Sequence, residues 1–428
     1  MINKYNKYKD NGVEWAGKFP EHWDTLRLKE IVKKLEQGWS PNAANWPADR
    51  GEYGVLKLSA ISGGKFIENE NKELADHTSS GQLEVSLGAL LITRSNTPSL
   101  VGECCPVTQI PYTNLIVPDL IFSITPSLRL ISLAFLAYQM NSASFRWLKR
   151  VTARGLNDSM VKISQGTIKN WRLLIPPIPE QNAIVAYLDS KTAQIDHQID
   201  LLQQKSTHYC KLKQSLIYET VTRGLDKSLP TKESGVAWIK KVPEQWMILR
   251  LKDIAYIKKG EVFDFEAEVG EIPYLNGGIN PSGYSKKSNT PTNVIAVSEG
   301  GASSGYTQFM NSPFWCGAHC YAVFPRTKCK KYLYYCIKGY EHVLTELKTG
   351  SAMPNLKKSE ISNFAIPITK SYEEQTAIAN FLDAKTARID CIVSALGNQI
   401  EILKNLRQKL INDLVTGKIK VLNEGLAV

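Results

Sequence analysis

The stretch "EQNAIVAYLDSKTAQID" (Glu180–Asp196) occurs a second time in this chain, as "EQTAIANFLDAKTARID" (Glu374–Asp390). The two copies align without a gap, and 11 of the 17 positions are identical. Unrelated segments of ordinary composition would share about one. The numbering offset between the copies is 194, the difference between 374 and 180. A solenoid repeat is only roughly 20–50 residues long, so this is an internal duplication of domain size.

Each copy begins a run of apolar residues spaced seven apart, which predicts two long helices. Four heptad intervals per copy favour a coiled-coil seam over an ordinary surface helix. Two matched helices in one chain favour an internal pair, and a homodimeric coiled coil is the alternative. The pattern alone does not decide between parallel and antiparallel packing, but an approximate two-fold axis between the copies would make the helices antiparallel. The predicted seam residues are Leu188, Ile195, Leu202, Tyr209 and Leu216, then Leu382, Ile389, Leu396, Leu403 and Leu410.

Local signals predict where these helices begin. Ser371-x-x-Glu374 has the spacing of a capping box. Pro179 suits a first helical turn, where a missing N–H costs nothing. We expect the first helix to span about residues 180–222. Gly397 interrupts the second at a cost of about 1 kcal/mol relative to alanine. It marks either the close approach of a neighbouring backbone or a weak point.

A second phrase is also duplicated. "GVEWAGKFPEHWDTLRLKEI" (Gly12–Ile31) recurs as "GVAWIKKVPEQWMILRLKDI" (Gly235–Ile254), with 12 of 20 positions identical. The numbering offset here is 223, the difference between 235 and 12, so the segment between the two phrases is shorter in the second copy. Each phrase holds a Pro-Glu-X-Trp turn, and the alternating leucines that follow predict a strand or the entry to one.

The segments between the phrases differ between the copies. They run from about residue 35 to 174 and from about 258 to 366, and both are rich in Gly, Ser, Asn, Pro and aromatic residues. Short β-like runs such as "ALLITRS" and "NVIAVSE" precede one helix-like stretch in each. We expect an α+β fold: two globular domains separated by two long helices, packed as an antiparallel coiled coil, in a pseudo-two-fold internal repeat. The expected segments are 1–174 and 227–366 for the globules, 175–226 for the first helical spacer, and 367–428 for the second spacer with the C-terminal tail.

Composition favours a polyanionic partner. The chain has 428 residues, a formal net charge of +11 and a pI of about 9.1, which favours nucleic acid over a membrane surface. The N-terminus does not look like a secretion signal, and the most apolar window, "LRLISLAFLAYQM", is too short to cross a bilayer. We expect a soluble, cytoplasmic protein without a membrane partner. Cys316, His319 and Cys320 form the only cluster that resembles metal ligands, and the second pair of a closed zinc site is missing nearby. We therefore expect no metal.

Motifs for catalysis are missing from the sequence. It contains no G-x-x-x-x-G-K-[ST] phosphate loop, no G-x-G-x-x-G after a strand and no [DN]-P-P-[YF] tetrapeptide of amino-methyltransferases. The acidic residues Asp264, Glu266 and Glu268 do not have the strand context that two-metal chemistry requires, and neither does Glu70 beside Lys72. We expect a protein that is not itself an enzyme.

The arrangement of variable globule, repeated helix, variable globule and repeated helix resembles the specificity subunit of Type I restriction-modification systems. The resemblance covers essentially the whole chain. Its motifs are Pro-Glu-X-Trp with "LRLK" before each globule, Glu-Gln…Leu-Asp…Thr-Ala-X-Ile-Asp after it, and the ending "LVTGKI", echoed as "ETVTRGLD". The second helix is preceded by "IPITKSYEEQ" rather than by a second proline pair as in "IPPIPEQ". This departure leaves the entry to that helix open.

The resemblance implies that each globule is a target recognition domain for one half of a split, asymmetric double-stranded DNA site. The helix pair would then fix the gap between the halves. It implies partners as well: two methyltransferase subunits and, through them, motor-nuclease subunits. The cofactors S-adenosylmethionine, ATP and Mg would belong to those subunits, and this chain would bind none.

Candidate DNA-binding residues follow from the chemistry of recognition. Arg and Lys suit guanine, Asn and Gln suit adenine, and Ser and Thr suit phosphate. The candidates in the first globule are Gln37, Trp39, Ser40, Lys57, Ser59, Arg94, Ser95, Asn96, Thr97 and Arg154. Those in the second are Lys258, Lys259, Glu261, Tyr274, Asn276, Ser298, Glu299, Ser303, Ser304, Tyr306, Thr349 and Ser351.

Three alternatives stay open at this point. The chain could be the specificity subunit of a complex that only methylates. It could be a coiled-coil adaptor with two protein-binding globules, or an enzyme with an unrecognised site. Steep salt dependence of DNA binding would argue against the adaptor, because contacts to phosphates release counterions.

Overall fold

A computed structural model describes residues 2–10, 12–74, 82–109, 114–157, 160–263, 269–348 and 355–421. The chain forms two compact units. Unit 1 contains the described residues up to Leu201 together with those from Gln399 onward, and unit 2 runs from Leu202 to Asn398. This division follows packing and cuts both long helices. The four segments predicted from the sequence separate the globules from the helices instead, and they stay a prediction.

The described elements up to the first long helix are mostly short strands, together with four short α-helices. The strands are β1 (Ile2–Asn3), β2 (Tyr8–Lys9), β3 (Phe19–Pro20), β4 (Asp24–Arg27), β5 (Val32–Gln37), β6 (Tyr53–Leu56), β7 (Ile61–Ser62), β8 (Lys65–Phe66), β9 (Asn71–Glu73), β10 (Leu90–Thr93), β11 (Ser95–Asn96), β12 (Cys104–Pro106), β13 (Asn114–Ile116), β14 (Ile121–Pro126), β15 (Arg154–Asn157), β16 (Met160–Lys162) and β17 (Arg172–Ile175). The helices are α1 (Leu28–Ile31), α2 (Leu133–Asn141), α3 (Ala143–Thr152), α4 (Gln165–Lys169) and α5 (Ile178–Arg223).

The elements after α5 follow the same plan. The strands are β18 (Thr231–Val236), β19 (Ile239–Pro243), β20 (Met247–Arg250), β21 (Ala255–Lys259), β22 (Val269–Leu275), β23 (Gly283–Ser285), β24 (Val294–Ser298), β25 (Thr307–Met310), β26 (Trp315–Cys316), β27 (Cys320–Pro325), β28 (Ala365–Ile368) and β29 (Lys420–Val421). The helices are α6 (Leu251–Ile254), α7 (Lys330–Gly339), α8 (Glu341–Glu346), α9 (Lys358–Asn363) and α10 (Tyr372–Val415).

Sheet topology extends the duplication into the segments whose sequences differ. Unit 1 has a four-stranded sheet in the order β12-β10-β14-β5, and unit 2 has β25-β24-β27-β21. A second sheet, β13-β6-β9, matches β26-β22-β23, and both contain one parallel pair. The pairs β17-β4 and β28-β20 are also equivalent. Both globules therefore have one α+β fold.

One inner strand of each four-stranded sheet, β10 or β24, is covered on both faces. In β10, Leu90 and Ile92 enter the large core of unit 1, while Leu91 enters a smaller cluster on the opposite face. In β24, Ile295 and Val297 do the same on one side, and Val294 and Ala296 on the other. Successive strand residues point to opposite faces, so a continuous apolar run marks a strand that is buried twice.

In each unit the phrase with the Pro-Glu-X-Trp turn pairs with the strand that lies just before the repeated helix phrase. Strand β4 pairs with β17, and β20 pairs with β28, both antiparallel. The predicted strand covers only the first half of the "LRLK" motif, because Leu28 and Leu251 begin the one-turn helices α1 and α6 and are fully buried there. The helix-like stretch in each globule is likewise two helices, α2 with α3 and α7 with α8.

The long helices α5 and α10 have 46 and 44 residues, and α5 is therefore about 69 Å long. In unit 1, Arg407 of α10 lies 2.9 Å from Asp196 of α5, and in unit 2, Lys213 of α5 lies 2.6 Å from Asp390 of α10. Along α5, Lys213 comes after Asp196. Along α10 the order of their partners is reversed, because Asp390, the partner of Lys213, comes before Arg407, the partner of Asp196, by the same number of positions. The helices are antiparallel, and the predicted fold class is confirmed.

All ten predicted seam residues are buried or half-buried, but their burial is graded along each helix. Leu188 and Leu382 are fully buried, while Leu216 and Leu410, four heptads later, are only half-buried. An α-helix drifts by about 20° per heptad against a 3.5-residue repeat. The residues next to Leu216 and Leu410, Ile217 and Ile411, accordingly take over the buried positions.

Candidate DNA interface

In unit 1 the strand β5 ends where the backbone at Gly38 packs directly against the backbone at Val117. A Cβ on Gly38 would lie 1.6 Å from the carbonyl oxygen of Val117, so only glycine fits there. The next residue, Trp39, donates its backbone N–H to the same oxygen at 3.2 Å, and its side chain is 59% exposed. This packing therefore fixes the backbone of the loop and presents an aromatic ring to the surface.

Three of the predicted residues meet at Asp119, which the sequence interpretation missed. Gln37 Nε2 donates to the Asp119 carbonyl at 3.2 Å, and Arg94 Nη1 donates to the same oxygen at 3.3 Å. Ser40 Oγ donates to the Asp119 carboxylate. These four residues, Gln37, Ser40, Arg94 and Asp119, are called the Asp119 group below. They come from three separate segments, so their proximity is a product of the sheet order.

Arg94 also lines a basic cavity of about 810 Å³ in unit 1. Among the described residues that line it, the other cationic side chains are Arg154, Lys162 and Arg172, and Glu14 carries the one carboxylate. Arg154 and Lys162 face each other directly across the β15-β16 pair. Like charges opposite each other on a sheet are destabilising unless something offsets them. Arg94 and Arg154 were predicted as DNA-binding residues, whereas Lys162 and Arg172 were missed because they lie in apolar surroundings in the sequence.

The other predicted residues of unit 1 lie elsewhere or are covered. Lys57 forms an ion pair of 3.7 Å with Glu70, and Ser59 Oγ donates to the same carboxylate at 2.5 Å. Asn96 Oδ1 accepts the backbone N–H of Thr97 at 2.8 Å, an interaction that shapes the turn. Ser95 is fully buried, so its hydroxyl does not reach the surface in this structure.

Unit 2 has a cluster of charged and polar side chains at the equivalent strand ends. Glu299 is 8% exposed, and its Oε1 accepts hydrogen bonds from Lys259 Nζ and from the Tyr321 hydroxyl, each at 2.8 Å. His319 Nδ1 lies 3.8 Å from the other carboxylate oxygen. Burial, and then the hydrogen bond to Glu299, raise the pKa of Tyr321, so its hydroxyl stays protonated and donates. Lys259, Glu299, His319 and Tyr321 are called the Glu299 group.

Hydrogen bonds tie the loops around the Glu299 group to one another. Ser298 and Ser303 both donate to the carbonyl oxygen of Gly277, at 2.5 and 2.6 Å. Ser304 Oγ donates to the carbonyl oxygen of Glu299 at 2.8 Å. Asn276 Oδ1 accepts the backbone N–H of His319 at 3.1 Å. The predicted Ser, Asn and Glu residues thus converge, and most of their polar atoms are used to hold the loops.

The remaining predicted residues of unit 2 differ in exposure. Lys258 donates to Glu261 at 2.8 Å, and this hydrogen bond raises the pKa of Lys258 and lowers that of Glu261, so both stay charged near neutral pH. Tyr274 is buried, and burial raises its pKa. The ring of Tyr306 carries Lys338 Nζ 4.3 Å from its centroid, a cation–π distance. The predicted residues Thr349 and Ser351 lie outside the described residues.

The repeated helix phrase (Glu180–Asp196 and Glu374–Asp390) forms hydrogen bonds with one tyrosine of each globule, an arrangement called the tyrosine clamp below. In unit 1 the Tyr138 hydroxyl donates to Asp189 at 2.6 Å and lies 3.5 Å from the Thr192 hydroxyl. Unit 2 repeats this arrangement with the equivalent residues of its own helix phrase. There the Tyr335 hydroxyl donates to Asp383 at 2.7 Å and lies 3.2 Å from Thr386. The Asp and Thr that the two phrases share therefore attach each globule to its own helix.

The start of α10 differs from the predicted capping box. Ser371 Oγ accepts the backbone N–H of Glu374 at 3.1 Å, as predicted. The Glu374 carboxylate instead accepts the indole N–H of Trp246 at 3.2 Å and the hydroxyl of Thr369. The acid is used to fix the Pro-Glu-X-Trp turn against the helix, which a local pattern could not reveal.

The candidate metal cluster does not come together as a set of ligands. Cys316 and Cys320 are buried in the smaller apolar cluster of unit 2, whereas the His319 ring is exposed and faces Glu299. Among the described residues there is no group of three His, Cys, Asp or Glu side chains that could hold a metal ion. The acidic residues 264, 266 and 268 lie outside the described part of the chain. No helix in the described residues is long and apolar enough to cross a membrane.

Comparison with known proteins gives consistent matches. Residues 243–410 match the model of the Type I restriction modification DNA specificity domain. A putative type I specificity subunit of Mycoplasma pneumoniae is 32% identical over 40% of this chain and 46% of its own length, so the chain matches about half the length of that relative. The putative MjaX specificity subunit of Methanocaldococcus jannaschii is 23% identical over 98% of this chain and all of its own length.

A solved structure from a study of complex assembly and conformational transition of the type I R-M system has a similar fold. It superposes with a TM-score of 0.69 at 18% identity, covering 93% of this chain and 98% of the other. At this identity the match concerns the fold, and it extends over both α+β globules and both long helices.

Proposed function

Because the chain belongs to the family of type I restriction-modification DNA specificity subunits, we propose that its two globules each recognise one half of a split DNA sequence. The basic cavity of unit 1 is the observation that carries this proposal. Four of the described side chains that line it are cationic, and two of them, Arg154 and Lys162, oppose each other across a strand pair. A phosphate backbone supplies negative charge that offsets this excess of cations.

The two halves of the target differ in sequence. The globules share one topology, yet the loops at their strand ends carry different residues, with the Asp119 group in unit 1 and the Glu299 group in unit 2. Different donors and acceptors select different base edges. The target is therefore asymmetric, and the long helices fix the gap between its halves because half-site spacing follows protein geometry.

The chain supplies recognition, and its partners supply the chemistry. Two methyltransferase subunits dock on it, one for each of the two repeated long helices, and motor-nuclease subunits join through them. Support for two equal docking sites comes from exposed leucines at repeat-related positions, Leu212 on α5 and Leu406 on α10, which are 54% and 51% exposed. S-adenosylmethionine, ATP and Mg belong to the partners, and the complex acts in the cytoplasm, where the DNA is.

Two experiments separate this function from its alternatives. Recovery of a complex with the methyltransferase subunit but without the motor-nuclease subunit, when both are co-expressed, would favour a complex that only methylates. DNA binding by the purified complex, measured with random-sequence duplexes between about 50 and 200 mM salt, should weaken by orders of magnitude, as expected for several phosphate contacts. Absent or salt-insensitive DNA binding would favour the coiled-coil adaptor.

A further inference from the structure

Backbone register shows that Arg94 and Glu299 occupy the same position in the two globules. Thr93, the last residue of β10, pairs with Ile121 of β14, and Ser298, the last residue of β24, pairs with Cys320 of β27. In both globules the next residue donates its backbone N–H to the carbonyl oxygen of the residue just before the paired strand. Arg94 N donates to Leu120 O at 2.8 Å, and Glu299 N donates to His319 O at 2.9 Å.

The two flanking strands give a matching pair of neighbours. Gln37 of β5 pairs with Phe122 of β14, and Lys259 of β21 pairs with Tyr321 of β27. Each pair is followed by a glycine, at positions 38 and 260, whose Cβ would collide with a backbone carbonyl. Three equivalent strand ends therefore carry Gln, Arg and Phe in unit 1 and Lys, Glu and Tyr in unit 2. The position of Arg94 has the opposite charge in the second globule.

The three substitutions compensate one another within each globule. In unit 1 the Arg94 guanidinium lies 5.9 Å from the centroid of the Phe122 ring, a cation–π distance. In unit 2 the carboxylate of Glu299 accepts from the hydroxyl that Tyr321 has and phenylalanine lacks, and from Lys259. A buried carboxylate needs such partners. The triads have therefore changed together around one strand-end position, while the backbone has stayed the same.

The two triads offer different groups to a ligand. A guanidinium has five N–H donors, and the hydrogen bond that the described structure gives Arg94, to Asp119, uses one of them. In unit 2 Glu299 is almost completely buried, whereas the Lys259 side chain is 53% exposed and the His319 side chain 61% exposed. Glu299 therefore positions Lys259 rather than contacting a ligand itself.

Building on the proposed function, we propose that this strand-end position gives the two globules different base preferences. Arg94 hydrogen-bonds a guanine edge in one half-site, and Lys259, positioned by Glu299 and Tyr321, hydrogen-bonds a base in the other. Arginine can bind the two acceptors of guanine in a bidentate manner, whereas an ammonium acts as a point charge. Arg94 and Lys259 are thus specificity-determining residues, and Glu299 is a positioning residue.

The test is a map of adenine methylation across a genome by the complex of this chain with its methyltransferase partner. Arg94→Ala should lower discrimination at one base of one half-site by roughly ten- to a hundredfold and leave the other half-site unchanged. Lys259→Ala and Glu299→Gln should each relax one shared base of the other half-site, and the double variant should be no worse than Lys259→Ala alone. Arg94→Lys, which keeps the charge, guards against a folding defect and should relax the same base as Arg94→Ala.

Matched controls come from beyond the far ends of β14 and β27, the strands that pair with β10 and β21. Arg129 and Lys328 are exposed and lie shortly beyond the ends of β14 and β27, and their alanine variants should methylate the wild-type motif. If the wild-type motif is split and the Arg94 and Lys259 variants keep it, or lose methylation equally at all sites, the inference is overturned and the proposed function stands. If the wild-type complex methylates without any split motif, the proposed function fails, and this inference fails with it.

Discussion

Arg407 Nε lies 2.9 Å from Asp196 Oδ1, and this ion pair between the long helices has a repeat-related counterpart. Asp390 is the counterpart of Asp196, Lys213 is the counterpart of Arg407, and their side chains meet at 2.6 Å. The final aspartate of each copy of the helix phrase therefore pairs with a cation on the facing long helix.

The first prediction concerns the ion pairs between the two long helices. Lys213→Asp should place like charges together and lower the free energy of unfolding by about 0.5–1 kcal/mol, because the pair is partly exposed. The added change Asp390→Lys should restore most of the loss. Urea unfolding of the two single variants and the double variant measures the coupling. Lys211→Asp, an exposed position on the same helix, is the control, and an equal loss there would show that the ion pair contributes nothing specific.

A second prediction follows from the tyrosine clamp. Burial, and then the hydrogen bond to Asp189, raise the pKa of Tyr138 to about 12, against an ordinary value of about 10. The folded state therefore keeps a proton that the unfolded chain loses, so this stabilisation is complete below pH 10 and is lost as the pH rises toward 12. Tyr138→Phe should weaken the decline of thermal stability over this range. Tyr187→Phe, which removes a hydroxyl on α5 two residues before Asp189, is the control, and identical profiles for all three proteins would contradict the assignment.

Two glycines, Gly397 within α10 and Gly417 just after its end, predict opposite effects of substitution by alanine on stability. Among the described residues, a Cβ at Gly397 would meet nothing within 4 Å, so no backbone that the structure describes approaches it closely. Gly397→Ala should raise stability by about 0.5–1 kcal/mol. Gly417 has φ +68°, and a Cβ there would lie 2.2 Å from Cδ of Pro20. Gly417→Ala should lower stability by about 1–3 kcal/mol. Thermal unfolding of both variants tests this, and the same sign for both would contradict it.

The basic cavity predicts how DNA affinity responds to salt. Arg154→Ala and Lys162→Ala should each make the slope of log affinity against log salt shallower by about 1, because each removes one phosphate contact. Arg129→Ala, which removes the same charge outside the cavity, should leave the slope unchanged. Equal effects of the cavity and control variants would mean that only net charge matters.

The sequence was sufficient for the architecture because its strongest signals are periodic and repeated. Heptads predicted both long helices, and the duplicated phrases predicted two α+β globules. The pattern could not decide helix direction, since a seam of Leu188 and Leu382 suits either orientation. The direction follows from the Asp196–Arg407 and Lys213–Asp390 pairs, which require knowledge of the facing helix.

The candidate site was less predictable for a physical reason. Loops rich in polar residues could be selected from the sequence. The sequence does not show which of their polar atoms already form hydrogen bonds within the loops, as those of Ser298 and Ser304 do. Asp119 is an ordinary residue in the sequence, and only the sheet order brings it to Gln37 and Arg94. The equivalence of Arg94 and Glu299 was likewise hidden because it lies in backbone register and not in residue identity.

Two different half-site recognition domains on one duplicated frame should leave a defined methylation pattern. Adenine methylation is mapped across the genome of a host that expresses this chain with its methyltransferase partner, and the expected result is a single motif of two unlike half-sites separated by a gap of constant length. A contiguous motif, a palindrome, or methylation without any motif while the complex still forms would show that the chain does not carry two such domains.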